Sequence, residues 1–401
     1  MLFYKYFSPD VIERLSQNTE QIHDTYRFIK TTAEKFKLRG RILFASEGIN
    51  GTLSATTKET LVNFVHILEE YQFESTRMCV FLDIDWKYST TKDDSIAPFP
   101  DLYVSLVKEI VNSGGSFDAK DIDQFGGKHL SPEEFHLALS SGSKDTVVID
   151  VRNPYEYAIG HFISAEGEEA IDPCMVTFSS FDSSFCTKNA DKLKDKRVLM
   201  YCTGGVRCEK ASGMLRKRGV NNVCQLKGGI HRYLEAFPDG GFFKGKNFTF
   251  DKRVAVSSEN KNILGSCLEC NEAWDELSGR KICTVCRELV LICNECESNL
   301  REYHCIRHSF LKSCYFTFLE VYDIEQLRLM HEELTSIMKE SNRAQQSKKL
   351  RKTLRKQINR VSARMEMLEE GEACVDCNVP RKCGMCLSSK CDGLCWGFWK
   401  P

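Results

Sequence analysis

The stretch VLMYCTGGVRCEKASGMLRKR, residues 198–218, predicts a strand, a tight loop and a helix in succession. Residues 198–200 are an apolar run of buried-strand length. Gly204 and Gly205 allow a sharp turn, and apolar residues then recur at helical spacing. Cys202 therefore lies where a strand ends and a loop leads into a helix.

The surroundings of Cys202 favour a reactive thiolate. A loop that opens into a helix directs unpaired N–H groups and the positive end of the helix dipole inward, and Arg207 adds a full positive charge. These features stabilise the thiolate, which is the nucleophilic form of cysteine. We therefore predict Cys202 and Arg207 as catalytic residues. The backbone of the predicted active loop is that of Thr203, Gly204, Gly205 and Val206.

Cys208 follows Arg207 in the first turn of the predicted helix. Backbone N–H groups lower thiol pKa values there as well, so Cys208 is a candidate for resolving an oxidised Cys202 as a disulfide. A buried helix cysteine fits the position equally well, and both interpretations stay open.

Two known kinds of cysteine loop resemble this one. Cysteine phosphatases place Arg six residues after Cys in a loop that surrounds a phosphate, whereas Arg207 follows Cys202 by five. The shorter loop resembles the active loop of the rhodanese family, in which the cysteine carries a persulfide. TVVIDVRNPYEYAIGHF (146–162) and VCQLKGGIHRYLEAF (223–237) resemble further rhodanese motifs. Strands that alternate with helices predict an α/β domain with a parallel sheet.

Three side chains in the first of these motifs are predicted to support the site. Asp150 and Arg152 lie at the end of a predicted strand, and we expect them to form a structural ion pair. We expect His161 to be a hydrogen-bonded scaffold residue rather than a proton donor.

The first 115 residues predict a small α+β domain of the ferredoxin or acylphosphatase type. Its predicted elements are a strand at 2–7, a helix at 9–36, a strand pair at 40–55, a helix at 58–71, and strands at 78–84 and 102–110. The turn-rich loop EGINGT, residues 47–52, is a candidate binding loop. Trp86, Lys87 and Ser89 form a second candidate patch. A purely structural role stays open for both.

Six motifs in this order resemble the oxygen-dependent tRNA uridine hydroxylase family: FASEGINGT, WKYS, VKEIV, YEYAIGHF, MYCTGGVRCEKAS and KGKNFTFDKRVAV. The likeness covers roughly residues 1–310. It implies an N-terminal domain, a central rhodanese domain and a Cys-rich end. It also implies that Cys202 is essential and that the substrates are molecular oxygen and the wobble uridine in the tRNA anticodon region, which becomes 5-hydroxyuridine. Generic rhodaneses do not carry CEKAS after the loop.

The region after residue 256 is rich in cysteine pairs with metal-ligand spacing. Within 42 residues, four knuckles offer eight ligands for at least two structural Zn²⁺ ions. Those ligands are Cys267, Cys270, Cys283, Cys286, Cys293, Cys296, Cys305 and His308. We expect the first knuckle to pair with the third and the second with the fourth. Zinc would then supply folding free energy to a module with little apolar sequence.

Residues 323–370 contain neither Pro nor Gly and predict a long amphipathic helix, a helical hairpin or a coiled coil, which could mediate self-association. A solvated face, an arm that contacts tRNA phosphates and a helix on an anionic membrane all fit its basic centre, and we favour the tRNA arm. The predicted nucleic-acid contacts are Lys348, Lys349, Arg351, Lys352, Arg355 and Lys356.

Six further cysteines follow in the tail and offer a second, weaker metal site. They suit one zinc ion with two spare thiols, or a small metal cluster. They are Cys374, Cys377, Cys383, Cys386, Cys391 and Cys395.

Composition limits the remaining possibilities. The formal net charge is −1, so any basic surface must be local. Fourteen of the 20 cysteines lie after residue 266, mostly in the spacing of metal ligands rather than of a secreted disulfide framework. We see no signal peptide and no run of 18 apolar residues, and we expect a reducing cytoplasm and no membrane span.

The predicted domains follow the changes in pattern along the chain. They are residues 1–115 (ferredoxin or acylphosphatase-like), 125–242 (rhodanese), 243–314 (zinc module), 320–371 (basic helix or coiled coil) and 372–401 (Cys-rich tail).

Three functions from different classes fit this organisation. The first is a tRNA uridine hydroxylase that acts through Cys202. The second is a sulfurtransferase, in which Cys202 takes sulfur from thiosulfate or from another persulfide donor. The third is a non-enzymatic zinc adaptor, and the intact Cys202, Arg207 and Gly pair argue against it.

Overall fold

A computed structural model of the chain describes residues 1–73, 77–90, 98–142, 144–175, 177–251, 253–257, 263–300, 302–312, 319, 322–343 and 348–371. The chain divides into two compact units, with the boundary after Leu264. The first unit holds the N-terminal and rhodanese regions, and the second holds the Cys-rich and helical regions.

The N-terminal region is a mixed sheet with helices packed on it. Its elements are β1 (Leu2–Tyr6), α1 (Pro9–Gln17), α2 (Thr19–Lys35), β2 (Arg39–Ala45), β3 (Gly48–Ser54), α3 (Lys58–Glu70) and β4 (Leu102–Leu106). The sheet has the order β1-β3-β2-β4, in which β4 runs parallel to β2 and the other neighbours are antiparallel. The apolar helix faces bury Phe64 with the strand residues Phe3 and Phe44 in one core. The predicted α+β fold is confirmed.

Two predicted elements of this region are wrong in detail. The helix expected at 9–36 is divided at Asn18, whose side chain accepts the N–H of Gln21 at 2.9 Å and caps α2. The segment 78–84 forms only an isolated bridge, between Cys79 and Gln72, rather than a strand. Arg77 and Asp83 have φ values of 53° and 57°, so the backbone turns at both ends of that segment.

The rhodanese region follows as an alternation of strands and helices. Its elements are α4 (Ile122–Phe125), β5 (Lys128–Leu130), α5 (Pro132–Ser140), β6 (Thr146–Asp150), α6 (Pro154–Ile159), β7 (Gly160–Phe162), α7 (Thr187–Leu193), β8 (Arg197–Tyr201), α8 (Val206–Lys217), β9 (Val223–Leu226), α9 (Gly229–Ala236), β10 (Phe243–Phe248) and β11 (Ala255–Ser257). The main sheet is parallel, with the order β5-β9-β8-β6, as predicted. Strands β7, β10 and β11 form a separate antiparallel sheet.

Strand β8 lies between two apolar cores, because successive side chains of a strand point to opposite faces. Leu199 and Tyr201 enter the core that includes Ile230 of α9. Met200 enters the core that includes Leu215 of α8, and Cys202 continues the alternation on that side. Cys202 is therefore placed by the register of the strand as well as by the loop that follows it.

In the second unit the described helices are α10 (Asn294–Asn299), α11 (Ile324–Arg343) and α12 (Lys348–Glu369). Leu327 and Leu334 of α11 pack against Leu354 and Val361 of α12. Of the alternatives predicted for residues 323–370, the helical hairpin agrees with this packed helix pair. A search of the described helices finds none with the length and apolarity needed to cross a membrane.

A buried cation joins the N-terminal region to α8. Lys210 is fully buried, and its Nζ lies 2.9 Å from Glu47 Oε2 and 2.7 Å from Glu109 Oε2. The same Nζ donates to the carbonyl oxygen of Val111 at 3.1 Å, and Glu47 also accepts the N–H of Ile110 at 2.7 Å. Three of the motifs that carry the family resemblance therefore meet at one ammonium group.

We expect Lys210→Met to destabilise the first unit by about 3–5 kcal/mol, because it leaves Glu47 and Glu109 without their buried partner. Denaturant unfolding of the full chain measures the loss. Lys217→Met is the matched control on the same helix, since Lys217 forms a half-exposed ion pair with Asp121 and its loss costs about 1 kcal/mol or less. Equal losses for the two variants would contradict the role assigned to Lys210.

Candidate active site and metal centres

The loop after β8 turns sharply around the sulfur of Cys202. Cys202 Sγ accepts the N–H of Gly205 at 3.1 Å, and α8 begins at the next residue. Gly205 has a φ of 104°, which favours glycine, and a Cβ there would lie 2.7 Å from Tyr4 Oη. The predicted strand, loop and helix are all present, and the loop directs an amide at the sulfur.

The start of α9 holds the backbone of the active loop through two hydrogen bonds. The N–H of Ile230 donates to the carbonyl oxygen of Cys202 at 3.0 Å, and the N–H of His231 donates to that of Thr203 at 3.1 Å. Gly229 has a φ of 67°, and a Cβ on it would lie 2.5 Å from the Cys202 carbonyl oxygen. The Gly-Gly turn of the second rhodanese motif thus fixes the backbone of the active loop.

The site holds Cys202 as an anion. Burial raises the pKa of its thiol, but the hydrogen bond from Cys208, the charge of Arg207 and the backbone N–H groups of Arg207 and Gly205 together lower the pKa to about 6. Cys208 is the donor, because burial and its hydrogen bond to Cys202 raise its own pKa well above the usual value. At neutral pH the sulfur of Cys202 is therefore a thiolate beside a neutral thiol.

Arg207 is held by a carboxylate that the sequence analysis did not assign to the site. Its Nη1 and Nη2 lie 2.8 and 2.9 Å from the two oxygens of Glu156, which is fully buried. Burial raises the pKa of Glu156, but Arg207 more than compensates and lowers it, so the pair is ionised. Thr203 Oγ1 lies 3.3 Å from both partners. The sequence feature that could have identified Glu156 as a site residue is its position within the first rhodanese motif.

The structure places the three predicted supporting residues in the scaffold around the loop. Arg152 is fully buried and donates to both carboxylate oxygens of Asp150, with the shortest distance 2.6 Å. Tyr201, the last residue of β8, donates to the same carboxylate at 2.7 Å. His161 stacks on Tyr157 with the ring centroids 3.9 Å apart. Asp150 and Arg152 thus tie the end of β6 to the end of β8.

Two residues of β1, Leu2 and Tyr4, lie against the active loop, and we call them the wall. The sequence did not predict this contact. Leu2 Cδ2 lies 2.9 Å from the position of a Cβ on Gly204, and Tyr4 Oη donates to Glu209 Oε1 at 3.0 Å. Cys202 itself is fully buried. Leu2 and Tyr4 thus lie against the two glycines of the loop that carries this buried sulfur.

The candidate residues of the N-terminal region have separate environments. Glu47 of the EGINGT loop binds Lys210, as described above. Trp86 Nε1 donates to Glu69 at 3.0 Å, and Ser89 accepts from Arg253 at 3.4 Å. Lys87 is fully buried next to the wall. Of the patch predicted at residues 86–89, Lys87 is the member that the structure places beside Tyr4.

The eight knuckle residues come together in two groups of four whose ligand atoms all lie within 4.8 Å of one another. The first and third knuckles form one group and the second and fourth form the other. The groups are Cys267, Cys270, Cys293 and Cys296, and Cys283, Cys286, Cys305 and His308. The sulfur atoms of Cys270 and Cys293 are 3.6 Å apart. A tetrahedral zinc–thiolate site has sulfur atoms about 3.8 Å apart, so both groups suit a zinc ion.

The other predicted contact residues lie partly outside the described part of the chain. The tail cysteines Cys374, Cys377, Cys383, Cys386, Cys391 and Cys395, and the side chain of Lys349, are among the residues not described. On α12 the described side chains of Lys348, Lys352, Arg355 and Lys356 are exposed, whereas that of Arg351 is partly buried.

The fold and the cysteine loop define a rhodanese-domain protein with an acylphosphatase-like N-terminal domain. The UPF0176 acylphosphatase like domain matches residues 1–110, the rhodanese-like domain 131–236 and the rhodanase C-terminal family 244–309. The tRNA uridine(34) hydroxylase of Rhodococcus jostii (strain RHA1) is 36% identical over 276 residues, which are 67% of this chain and 90% of that protein. The protein of the same name from Rhodococcus opacus (strain B4) is 37% identical with the same coverage. The chain belongs to the tRNA uridine(34) hydroxylase family.

A plant relative shares the same core but is longer. Rhodanese-like domain-containing protein 6 of Arabidopsis thaliana is 39% identical over 320 residues, which are 76% of this chain and 52% of that protein. The chain thus spans about half the length of this relative. The expected family resemblance is confirmed.

We expect Cys208→Ala to raise the pKa of Cys202 by about one unit from its value of about 6, because the thiolate loses a donor worth about 1.5 kcal/mol. The pH dependence of Cys202 alkylation by iodoacetamide, followed by mass spectrometry of its peptide, gives the midpoint. The alkylation rate falls as the pH drops through that midpoint, because the thiolate is protonated. Cys224→Ala, a buried cysteine of β9, should leave the midpoint unchanged; an unmoved midpoint in Cys208→Ala would refute the hydrogen bond.

Proposed function

We propose that this chain hydroxylates the wobble uridine of tRNA at C5 and that Cys202 is the reacting residue. Two findings support the proposal: the chain belongs to a family whose relatives are named tRNA uridine(34) hydroxylase, and the thiol of Cys208, the charge of Arg207 and backbone amides lower the pKa of Cys202 to about 6 despite its burial. The second finding carries the chemistry, because a thiolate can add to C6 of a pyrimidine.

The proposed first step is that addition. Cys202 Sγ forms a bond to C6 of the uracil ring, and the C5–C6 electron pair moves to the C4 carbonyl oxygen as an enolate. C5 thereby becomes nucleophilic. Over the whole reaction one atom of O₂ enters the C5–H bond, and the other leaves as water with two protons and two electrons. We assign these electrons to a thiol reductant, which ends as a disulfide.

Access to the sulfur follows from the same geometry. The wobble base belongs to a single-stranded loop, and extruding such a base costs little unstacking energy. Because Leu2 and Tyr4 cover the loop glycines, the base must displace this wall before it meets Cys202. Opening of the wall is therefore a step of the proposed reaction.

A sulfurtransferase is the second candidate, and the size of the loop favours it. The amide of Gly205 and the thiol of Cys208 meet at one sulfur atom, which suits a persulfide anion on Cys202. In that reaction a thiolate acceptor attacks the outer sulfur, the S–S bond breaks and Cys202 leaves as the thiolate. The acceptor keeps the transferred sulfur, and neither carbon nor oxygen is oxidised.

We further propose that tRNA phosphates contact the exposed basic side chains of α12. Lys348, Lys352, Arg355 and Lys356 lie within two turns of the helix and are exposed. Arginine and lysine that neutralise phosphates release counterions, and this release drives binding. The same helices offer a surface for self-association. We place the protein in a reducing cytoplasm, where the cysteine ligands and Cys202 stay reduced.

The two groups of four ligands would each hold a structural Zn²⁺ ion. When bound, zinc supplies folding free energy by joining distant knuckles. The residues themselves contribute deprotonated sulfur atoms and the Nδ1 of His308, which lies 3.2 Å from Cys305 Sγ.

We expect cells that carry Cys202→Ser in place of the wild type to lose 5-hydroxyuridine and its derivatives from tRNA at least tenfold. Nucleoside mass spectrometry of total tRNA, prepared under oxygen, measures the change. Cys224→Ser is the matched control, because this buried cysteine of β9 lies outside the active loop. Unchanged 5-hydroxyuridine, together with loss of sulfur transfer to cyanide, would replace the hydroxylase with the sulfurtransferase.

We expect the double variant Cys270→Ser and Cys293→Ser to bind one zinc ion fewer per chain than the wild type. Both residues belong to the first group of ligands, and two remaining thiolates hold zinc too weakly to retain it. Elemental analysis of the purified full chain measures the stoichiometry. Cys174→Ser, an exposed cysteine, serves as the control, and an unchanged zinc content in the double variant would remove this site.

A further inference from the structure

We propose that the active site extends into the N-terminal region and that Lys87 is its second cation, a positioning residue that stabilises the anion on Cys202. The proposal rests on Cys202 being the reacting group. It adds to the known loop a charge from another part of the chain, next to the wall formed by Leu2 and Tyr4.

The backbone places Lys87 beside the wall. The N–H of Leu2 donates to the carbonyl oxygen of Lys87 at 2.8 Å, and the N–H of Lys87 donates to that of Leu2 at 2.9 Å. The residue is therefore in register with the start of β1. Leu2 and Tyr4 in turn contact the two glycines of the active loop. A Cβ built on Gly204 would lie 2.9 Å from Leu2 Cδ2, and one built on Gly205 would lie 2.7 Å from Tyr4 Oη.

The side chain of Lys87 turns inward rather than toward solvent. It is fully buried, and its Nζ lies 5.3 Å from the centre of the Tyr4 ring. A cation over an aromatic ring is attracted by the ring quadrupole. Tyr4 Oη lies 2.7 Å from where a Cβ on Gly205 would be, and the N–H of Gly205 donates to Cys202 Sγ, so Tyr4 connects the ammonium group to the active loop.

The carboxylate next to Lys87 is shared with another cation. Asp85 Oδ2 lies 2.8 Å from Lys87 Nζ, and Asp85 Oδ1 lies 2.5 Å from Arg232 Nη2. A second carboxylate, Glu235, lies 2.5 Å from Arg232 Nη1. Because the side chain of Asp85 is 40% exposed whereas that of Lys87 is fully buried, water screens the charge of the carboxylate more than that of the ammonium group.

The other cation of the site is more fully paired. Arg207 forms a two-pronged ion pair with the buried Glu156, which offsets much of its charge. A buried thiolate needs a compensating charge, because burial strongly favours the neutral thiol. Lys87 meets that need from the N-terminal region.

The pKa values are consistent with this arrangement. Burial lowers the pKa of Lys87, as does Arg232, whereas Asp85 and the charge of Cys202 raise it. His231 also faces Lys87, and burial lowers its pKa to about 4, so it is neutral near pH 7. On its other sides Cys202 faces Arg207, Cys208, Tyr4 and Tyr6. The net pKa of Lys87 is lowered by burial, and Lys87 and Arg207 are the basic side chains whose charges interact with that of Cys202.

The test is the pH profile of Cys202 alkylation in the full chain, for Lys87→Gln and for Lys87→Arg. Glutamine keeps a hydrogen-bond donor for Asp85 but removes the charge, whereas arginine keeps the charge. We expect Lys87→Gln to raise the midpoint by about one unit, a tenfold smaller thiolate fraction below the midpoint, and Lys87→Arg to stay within a few tenths of the wild type.

Lys5→Met is the matched control, because Lys5 lies on β1, the strand that carries Leu2 and Tyr4. Its Nζ donates to the carbonyl oxygen of Leu82 at 2.6 Å. Circular dichroism confirms folding, and Lys87→Met replaces Lys87→Gln if the latter does not fold. The profile also separates charge from access, because a wider opening raises the plateau rate at high pH and leaves the midpoint in place. A raised plateau with an unmoved midpoint would overturn the proposal and make Lys87 part of the wall only.

The measurement needs neither tRNA nor oxygen. An unmoved midpoint in a variant that still hydroxylates tRNA removes Lys87 from the site and leaves the proposed function intact. A raised midpoint in a protein that leaves tRNA unchanged supports the cation and rejects the hydroxylase.

Discussion

The buried ammonium group of Lys210 binds carboxylates that come from a different region of the chain. Taking Lys210 out of water is costly unless its partners are well placed. Glu47 and Glu109 supply that placement at 2.9 and 2.7 Å. Since Lys210 lies eight residues after Cys202 on the helix that the active loop opens into, the position of the N-terminal region relative to the thiolate is fixed by this contact. The wall over the loop and the placement of Lys87 both depend on it.

The thiolate of Cys202 shows how a charge is maintained in a site from which water is excluded. Its neighbours are an amide of the loop, the thiol of Cys208 and cations that are themselves paired. Each contribution is modest, and burial opposes all of them. The result is a fully buried sulfur whose pKa is nevertheless lowered to about 6.

Local patterns in the sequence were sufficient for the elements that depend on near neighbours. The strand, loop and helix around Cys202, the parallel sheet and the four metal-ligand knuckles follow from periodicity, glycine positions and ligand spacing. Ligand spacing alone does not fix which knuckles pair, and the expected pairing of the first with the third agrees with the two ligand groups. Features that depend on distant partners were not predictable in this way. Glu156 lies in a rhodanese-like motif, but only the tertiary structure shows that it pairs with Arg207. Likewise only the tertiary structure brings Leu2 and Tyr4 to the active loop.

The errors in the N-terminal region have a similar origin. Asn18 divides an otherwise continuous apolar periodicity because its side chain caps the second helix. The apolar run at 78–84 has the composition of a strand, but Arg77 and Asp83 adopt positive φ values, which only the backbone of the folded chain shows. In both cases one or two residues change the direction of the chain while the surrounding pattern stays regular.

The interleaved order of the metal knuckles has a consequence for biosynthesis. The ligands of the first group enclose the second knuckle in sequence, and those of the second group enclose the third. During translation the first site cannot close until the third knuckle has left the ribosome. By then the second knuckle, which provides half of the ligands of the second site, has also left it. With zinc at both sites, the second could close only after the fourth knuckle had also left the ribosome, so a chain paused between these two stages would carry Cys283 and Cys286 without their partners Cys305 and His308.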